Sequence, residues 1–317
     1  MIDVICIASW NADLISRVAR PIAKGETLIA HSFDIQPGGK GSNAAVAAAR
    51  QGAKVGVIAR IGDDDFGRMA MQLWAKEGIA TEYVEVATSE RSGVAQILVF
   101  DDGDNSIAVA TGAGAGLCEA NIDKASEPLA NCKVMMASNE VPQAATIAAF
   151  KIAKNFAKSA GITTILNPAP AKELPAELIA MCDVLTPNET EVRVLAGMPA
   201  SASIEAAAEA LLDKGARAII VTLGAEGCVR YRRGTIHNPL ALDCLRIQGW
   251  KMTKVADTIG AGDTYTGALA AAIARGETID QAMTFANAAA ALSVLGHGAI
   301  GAMPRLAEVK ALLLSHP

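Results

Sequence analysis

Four times along the chain a helical stretch ends in glycine and passes at once into a short, apolar, partly β-branched run. Arg50-Gln51-Gly52-Ala53 leads into Val55 to Ile58, and Lys76-Glu77-Gly78-Ile79 leads into Tyr83 to Val86. The pattern returns as Ser159-Ala160-Gly161-Ile162 before Thr163 to Leu166, and as Lys214-Gly215-Ala216 before Ala218 to Val221. Each glycine stands where a helix ends on a residue of positive φ, and each following run has the length and composition of a buried strand. Repeated αβ units of this kind predict an α/β fold with a mostly parallel sheet covered by helices.

The segment from Ser92 to Thr111 breaks the rhythm. Val94 to Phe100 and Ser106 to Ala110 flank the turn-forming cluster Asp101-Asp102-Gly103-Asp104-Asn105, which predicts a β-hairpin inserted between αβ units. Asp13 to Phe33 has no long helical period and is expected to pair with that hairpin. The expected organisation is one domain over residues 1–317, carrying a small β lid from about 13–35 and 92–111.

Composition narrows the chemistry. With 317 residues and 51% hydrophobic positions there is ample chain for a large core, and no apolar run is long enough to span a bilayer. Met1 to Ala8 is too short and too acidic for a signal peptide, so a cytoplasmic enzyme is expected. The net charge of −5, with Lys and Arg spread along the chain, argues against nucleic acid as a partner. Cysteines at 6, 118, 132, 182, 228 and 244 form no Cys-x-x-Cys pair, and His31, His237, His297 and His316 are scattered. Neither a disulfide framework nor a zinc site is expected.

The densest chemical signal is Asp257-Thr258-Ile259-Gly260-Ala261-Gly262-Asp263-Thr264, directly before an alanine-rich helical stretch. A carboxylate beside small-residue N–H groups at a helix start suits a site where an acceptor loses a proton while negative charge arrives. Phosphoryl transfer to a hydroxyl is such a reaction, although Asp263 is equally suited to capping the helix. The glycine spacing matches neither Gly-x-Gly-x-x-Gly nor a Walker loop.

Polar groups also collect where predicted strands end, which is where ligands bind in open parallel sheets. Asn11 and Asp13 follow the first strand, and Glu140 follows Val134 to Ala137. Pro37-Gly38-Gly39-Lys40-Gly41-Ser42-Asn43 offers close backbone approach, a cation, and Asn43 as a helix cap. Asn167-Pro168-Ala169-Pro170 and Thr222-Leu223-Gly224-Ala225-Glu226-Gly227 end two more strands. Between them, Thr186-Pro187-Asn188-Glu189-Thr190-Glu191 reads as a capping box of Asn188 with Glu191, or as groups that meet phosphate and a hydrated cation.

Taken in order from Asn11 to Pro304, these motifs resemble the ribokinase-like, PfkB-type carbohydrate kinase family. The resemblance implies a three-layer α/β/α fold and ATP-dependent phosphorylation of a primary hydroxyl, with D-ribose the expected acceptor. Another sugar, a sugar acid or a nucleoside is the alternative, and a non-catalytic sugar- or nucleotide-binding regulator a remote one. It implies Asp263 as catalytic base, with Gly260, Ala261 and Gly262 as an anion hole. Asn11, Asp13, Gly39, Lys40, Asn43 and Glu140 would hold the sugar. Asn188, Thr222, Gly224, Gly227 and Asn287 would hold ATP, with Glu191 meeting Mg²⁺ through water. Asp257 and the carbonyls of Ile259, Ser293, Gly296 and Gly298 match a site for activating K⁺. The lid would close over the sugar and form a homodimer contact. Two positions depart from the pattern: Ala302 stands where a serine oxygen is usual, and Trp10 precedes Asn11 where a smaller residue is common.

Overall fold

The structure, a computed structural model, describes residues 1–234 and 241–315, so His237 and His316 lie outside the described residues. Its strands are β1 (Val4–Ile7), β2 (Asn11–Val18), β3 (Ser32–Gly38), β4 (Val55–Gly62), β5 (Ala80–Ala87), β6 (Gly93–Phe100) and β7 (Asn105–Ala110). They continue as β8 (Val134–Ser138), β9 (Thr163–Asn167), β10 (Val184–Leu185), β11 (Ala218–Thr222), β12 (Gly227–Arg233) and β13 (Leu242–Gln248). Nine of them form one sheet in the order β13-β12-β11-β10-β9-β8-β1-β4-β5. Pairing is parallel from β5 across to β11, then antiparallel through β12 and β13.

All four glycines of the sequence pattern have positive φ: 86° at Gly52, 68° at Gly78, 62° at Gly161 and 104° at Gly215. Each ends a helix and releases the chain into β4, β5, β9 or β11. Alternate residues of β1 enter different cores. Val4 and Cys6 pack in one, Ile5 and Ile7 in the other, which is the signature of a sheet covered on both faces.

The first core explains the abundance of alanine. A Cβ on Gly267 would lie 2.2 Å from the carbonyl oxygen of Ala44 and 2.6 Å from Cβ of Ala47. Helices Lys40–Arg50 and Ala261–Ala274 therefore approach almost backbone to backbone where Gly267 meets Ala44 and Ala47. That close packing sets their N-termini side by side at the carboxyl end of the sheet.

The second sheet has the order β3-β2-β6-β7, with β2 parallel to β6 and the outer pairs antiparallel. It contains the expected hairpin and its partner strands, with one correction. Asn11 and Asp13, expected just past the first strand, lie within β2 and pair with Gly38 and Gln36, so the smaller sheet begins at Asn11 and not near residue 13. Phe33, Ile35, Ile107 and Val109 of this sheet are exposed. Among the described residues no helix is long and apolar enough to cross a membrane.

Candidate active site

Helix Ala261–Ala274 begins after Gly260, whose φ of 78° and lack of Cβ are both required, since a Cβ would sit 2.8 Å from Cα of Ala299. No side chain caps this helix, so Asp263 is not the cap that its position allowed. Its carboxylate instead turns inward, 5% exposed, and Oδ2 accepts a 2.8 Å hydrogen bond from Nδ2 of Asn43. Burial pushes the Asp263 carboxyl up to about 6, opposed by Lys40 and the Asn43 bond and assisted by Glu140 and Glu191. At the helix start, the Ala261 N–H makes a long 3.3 Å bond to the Thr258 carbonyl.

The facing helix starts at Lys40, with Gly39 as the preceding residue at φ 90°. Asn43 therefore sits inside the helix and does not cap it, which is what frees its amide for Asp263. The Lys40 N–H donates to Oε2 of Glu140 at 2.8 Å, and the Ser9 hydroxyl donates to the same oxygen at 2.7 Å. Ser9 Oγ in turn accepts from the Gly41 N–H at 2.9 Å. Glu140 thus ties the ends of β1 and β8 to the helix start and is not a loosely solvated acid.

Charge is crowded here. The Lys40 ammonium is held above its ordinary range chiefly by Asp263, then by Glu140, Glu191 and Asp13, against the cost of burial. Asp13 is pushed up to about 7 by burial first, then by Glu140 and Asp263, with Lys40 opposing. Two glycines allow the close approaches here, Gly38 to the Asp13 carboxylate and Gly39 to the backbone after β1. A Cβ on Gly38 would fall 2.1 Å from Oδ1 of Asp13, and one on Gly39 would fall 2.8 Å from the Ser9 carbonyl oxygen.

Three cavities follow one another along the carboxyl end of the sheet. The first, about 200 Å³, has the polar groups of Ser9, Asn11, Thr111, Asn139, Glu140 and Lys172 set among apolar surface from Trp10, Val141 and Val109 of β7. The next, about 340 Å³, contains Lys40, Asn188, Glu191, Thr222, Gly260 and Asp263 in its wall. The third, about 450 Å³ and mostly apolar, is walled by Gly224, Trp250, Val255, Ala261, Asn287 and Val294. Asn287 is anchored there by donating to the Gln248 carbonyl at 2.7 Å.

The capping box expected of Asn188 and Glu191 is present. Asn188 Oδ1 accepts from the Thr190 and Glu191 N–H groups at 3.0 and 2.8 Å, while Glu191 Oε2 accepts from the Asn188 N–H at 2.8 Å. The resulting capping box forms part of the middle cavity wall. Gly227 does not reach a cavity wall. It opens β12 at φ 96°, where a Cβ would meet the Ile247 carbonyl oxygen at 2.2 Å, so strand pairing explains this glycine.

Asp257 gathers the loop beside Gly260. Its Oδ1 accepts from the Ile259 N–H at 2.9 Å, and its Oδ2 accepts from the Gly298 N–H at 3.0 Å. The Ala302 methyl lies about 3.0 Å from where a Cβ on Gly296 would stand, so these two small residues pack closely. Among the described residues no cluster of His, Cys, Asp or Glu could hold a metal by itself. Trp10 is 3% exposed and stacks edge-on against Trp74, ring centroids 5.8 Å apart.

Sequence reading missed Ser9, Thr111, Asn139 and Lys172 in the first cavity, and Trp250, Val255 and Val294 in the third. The apolar members carry no motif. Ser9 and Asn139 were signalled only by standing next to Asn11 and Glu140.

A buried carboxylate at a helix start, in the wall of a polar cavity of about 340 Å³ with a smaller cavity and a larger apolar one beside it, fits a kinase-type site. Residues 1–306 match the pfkB family carbohydrate kinase model, and the chain belongs to that family. It is 37% identical to the ribokinase of Bacillus subtilis (strain 168) over 313 residues, 99% of this chain and 100% of that one. To the deoxyribokinase of Salmonella typhi it is also 37% identical, over 96% of this chain and 97% of that one. The solved structure of Arabidopsis thaliana ribokinase complexed with ribose and ATP superposes with a TM-score of 0.90, 30% identity and 98% coverage of each chain.

Proposed function

We propose that this protein transfers the γ-phosphoryl group of ATP to the primary hydroxyl of D-ribose, giving ribose 5-phosphate. The observation that carries this reading is Asp263. It is buried in the wall of the polar 340 Å³ cavity, bonded to Asn43 and facing the charge of Lys40.

In this reading the sugar lies against Asn11, Asp13, Gly39, Lys40, Asn43 and Glu140, its primary hydroxyl at Asp263. Asp263 accepts the hydroxyl proton as the oxygen attacks phosphorus, and the N–H groups at Gly260 to Gly262 meet the charge of the transferring group. ATP runs from Asn188 and Thr222 past Gly224 to the apolar cavity beside Asn287. Glu191, in the wall of the phosphate-sized cavity, fits a hydrated Mg²⁺, which supplies neutralisation of phosphate charge when bound. Asp257 with the carbonyls of Ile259, Ser293, Gly296 and Gly298 is an all-oxygen set suited to K⁺.

The chain is read as one domain over residues 1–317, with the smaller sheet as its lid. Val109 in the wall of the first cavity supports closure over the sugar and exclusion of water. The exposed Phe33, Ile35, Ile107 and Val109 support a homodimer through the same sheet. Six free cysteines and ATP as donor fit the cytoplasm.

Equal identity to a ribokinase and a deoxyribokinase makes 2-deoxyribose the second reading. Substitution Asp263→Asn tests the common mechanism: phosphoryl transfer should fall by about three orders of magnitude or more while ATP still binds. Turnover within tenfold of the parent would sink the assignment.

A further inference from the structure

The 200 Å³ cavity contains a cation that none of the assigned roles uses. Lys172 lies just beyond Asn167-Pro168-Ala169-Pro170, after β9, and lines this cavity with Asn139, Glu140 and Thr111. Lys40, by contrast, lines the middle cavity with Asp263. The two lysines therefore flank the sugar space from opposite ends.

Lys172 has no hydrogen-bond or ion-pair partner among the described residues, and the carboxylate whose field it feels is Glu140. Lys172 is exposed at the edge of this cavity, and what desolvation it meets there lowers its ammonium from the ordinary lysine range, with Glu140 opposing. Its neighbours are already committed. Asn139 donates to the Pro170 carbonyl at 2.9 Å and accepts from Gln143 at 3.2 Å. Glu140 Oε2 holds both Ser9 and the Lys40 N–H. Sugar hydroxyls in this wall meet acceptors in plenty, and the ammonium of Lys172 is its uncommitted cationic donor.

With the primary hydroxyl at Asp263, a pentose presents its opposite edge, carbons 1 and 2, toward the first cavity. We infer that Lys172 is a specificity-determining residue that donates to the hydroxyls on the C1–C2 edge of the pentose and so sets the preference between ribose and 2-deoxyribose. This rests on the pentose-kinase reading above.

The test compares kcat/KM of the parent and Lys172→Met on D-ribose, 2-deoxy-D-ribose and 1,4-anhydro-D-ribitol, which lacks the anomeric hydroxyl. Thermal unfolding of both proteins checks the fold, and Lys172→Arg serves as the charge-retaining variant. Lys172→Met should lose about ten- to a hundredfold on ribose, the scale of one charge-assisted hydrogen bond. On 2-deoxy-D-ribose it should lose less than about threefold, because the 2-hydroxyl it serves is missing, and Lys172→Arg should recover part of the ribose rate. An equal loss on all three substrates, or no loss on any, overturns the inference while leaving the kinase reading intact. A parent protein that phosphorylates none of the three overturns both.

Discussion

Asn43 and Asp263, 220 residues apart, are joined by a 2.8 Å hydrogen bond between two helix starts. The bond exists because helices Lys40–Arg50 and Ala261–Ala274 are packed through alanine and glycine, closely enough for their first turns to share one site. It also favours the ionised form of Asp263, which a proton acceptor needs.

A pH dependence follows from that bond. Asp263 titrates near 6, so kcat/KM should rise with pH through that region as the carboxyl ionises. Asn43→Ala removes a group that lowers this value, so the acid limb should move to higher pH and the plateau rate should fall about 10- to 100-fold. Initial rates from pH 5 to 9 decide it. An acid limb that stays put in Asn43→Ala would break the link between the two residues.

Asp13 predicts a stability effect of definite sign. Its folded value, about 7, lies above its ordinary 3.8, so the folded state holds a proton that the unfolded chain releases between these values. That contribution is full below about pH 4 and is lost as pH rises through about 7. Asp13→Asn should therefore stabilise the ligand-free protein by on the order of 2 kcal/mol at pH 8, with no gain near pH 4. Calorimetric unfolding at the two pH values measures the difference, and a destabilised variant at pH 8 would reverse the sign.

Gly38 and Gly39 separate packing from strain. Alanine at Gly38 would collide with the Asp13 carboxylate, so sugar KM should rise at least about tenfold with little change for ATP. Alanine at Gly39 faces both φ 90° and the Ser9 carbonyl, and should cost about 1–3 kcal/mol of stability as well. Steady-state kinetics beside chemical denaturation distinguishes the two patterns.

Much of this was legible in the sequence, for stated reasons. Glycines 52, 78, 161 and 215 marked the αβ units because positive φ after a helix is a local demand. The β12–β13 pair escaped because Arg230, Arg232 and Arg233 interrupt β12 and polar residues recur along the edge strand β13, so neither has the continuous apolar run of its parallel neighbours. Asn43 was legible as a site residue and misread as a cap, since its partner 220 residues away is a product of helix packing. The apolar cavity around Trp250 and Val294 was invisible for the same reason: its walls come from separate loops and helices.

The loop around Asp257 predicts cation activation. Rates in K⁺ should exceed those in Na⁺ at equal ionic strength, and Asp257→Ala should abolish the difference. Restoring an oxygen with Ala302→Ser should lower the K⁺ concentration needed for half activation. Identical rates in both salts would remove the cation from the account.

The central claim is phosphoryl transfer from ATP to the primary hydroxyl of ribose, and phosphorus NMR of the protein incubated with ATP, Mg²⁺, K⁺ and D-ribose tests it most directly. The predicted result is stoichiometric ADP and ribose 5-phosphate, abolished by Asp263→Asn. Unchanged ATP with ribose, from protein that is folded and binds ATP, would contradict it.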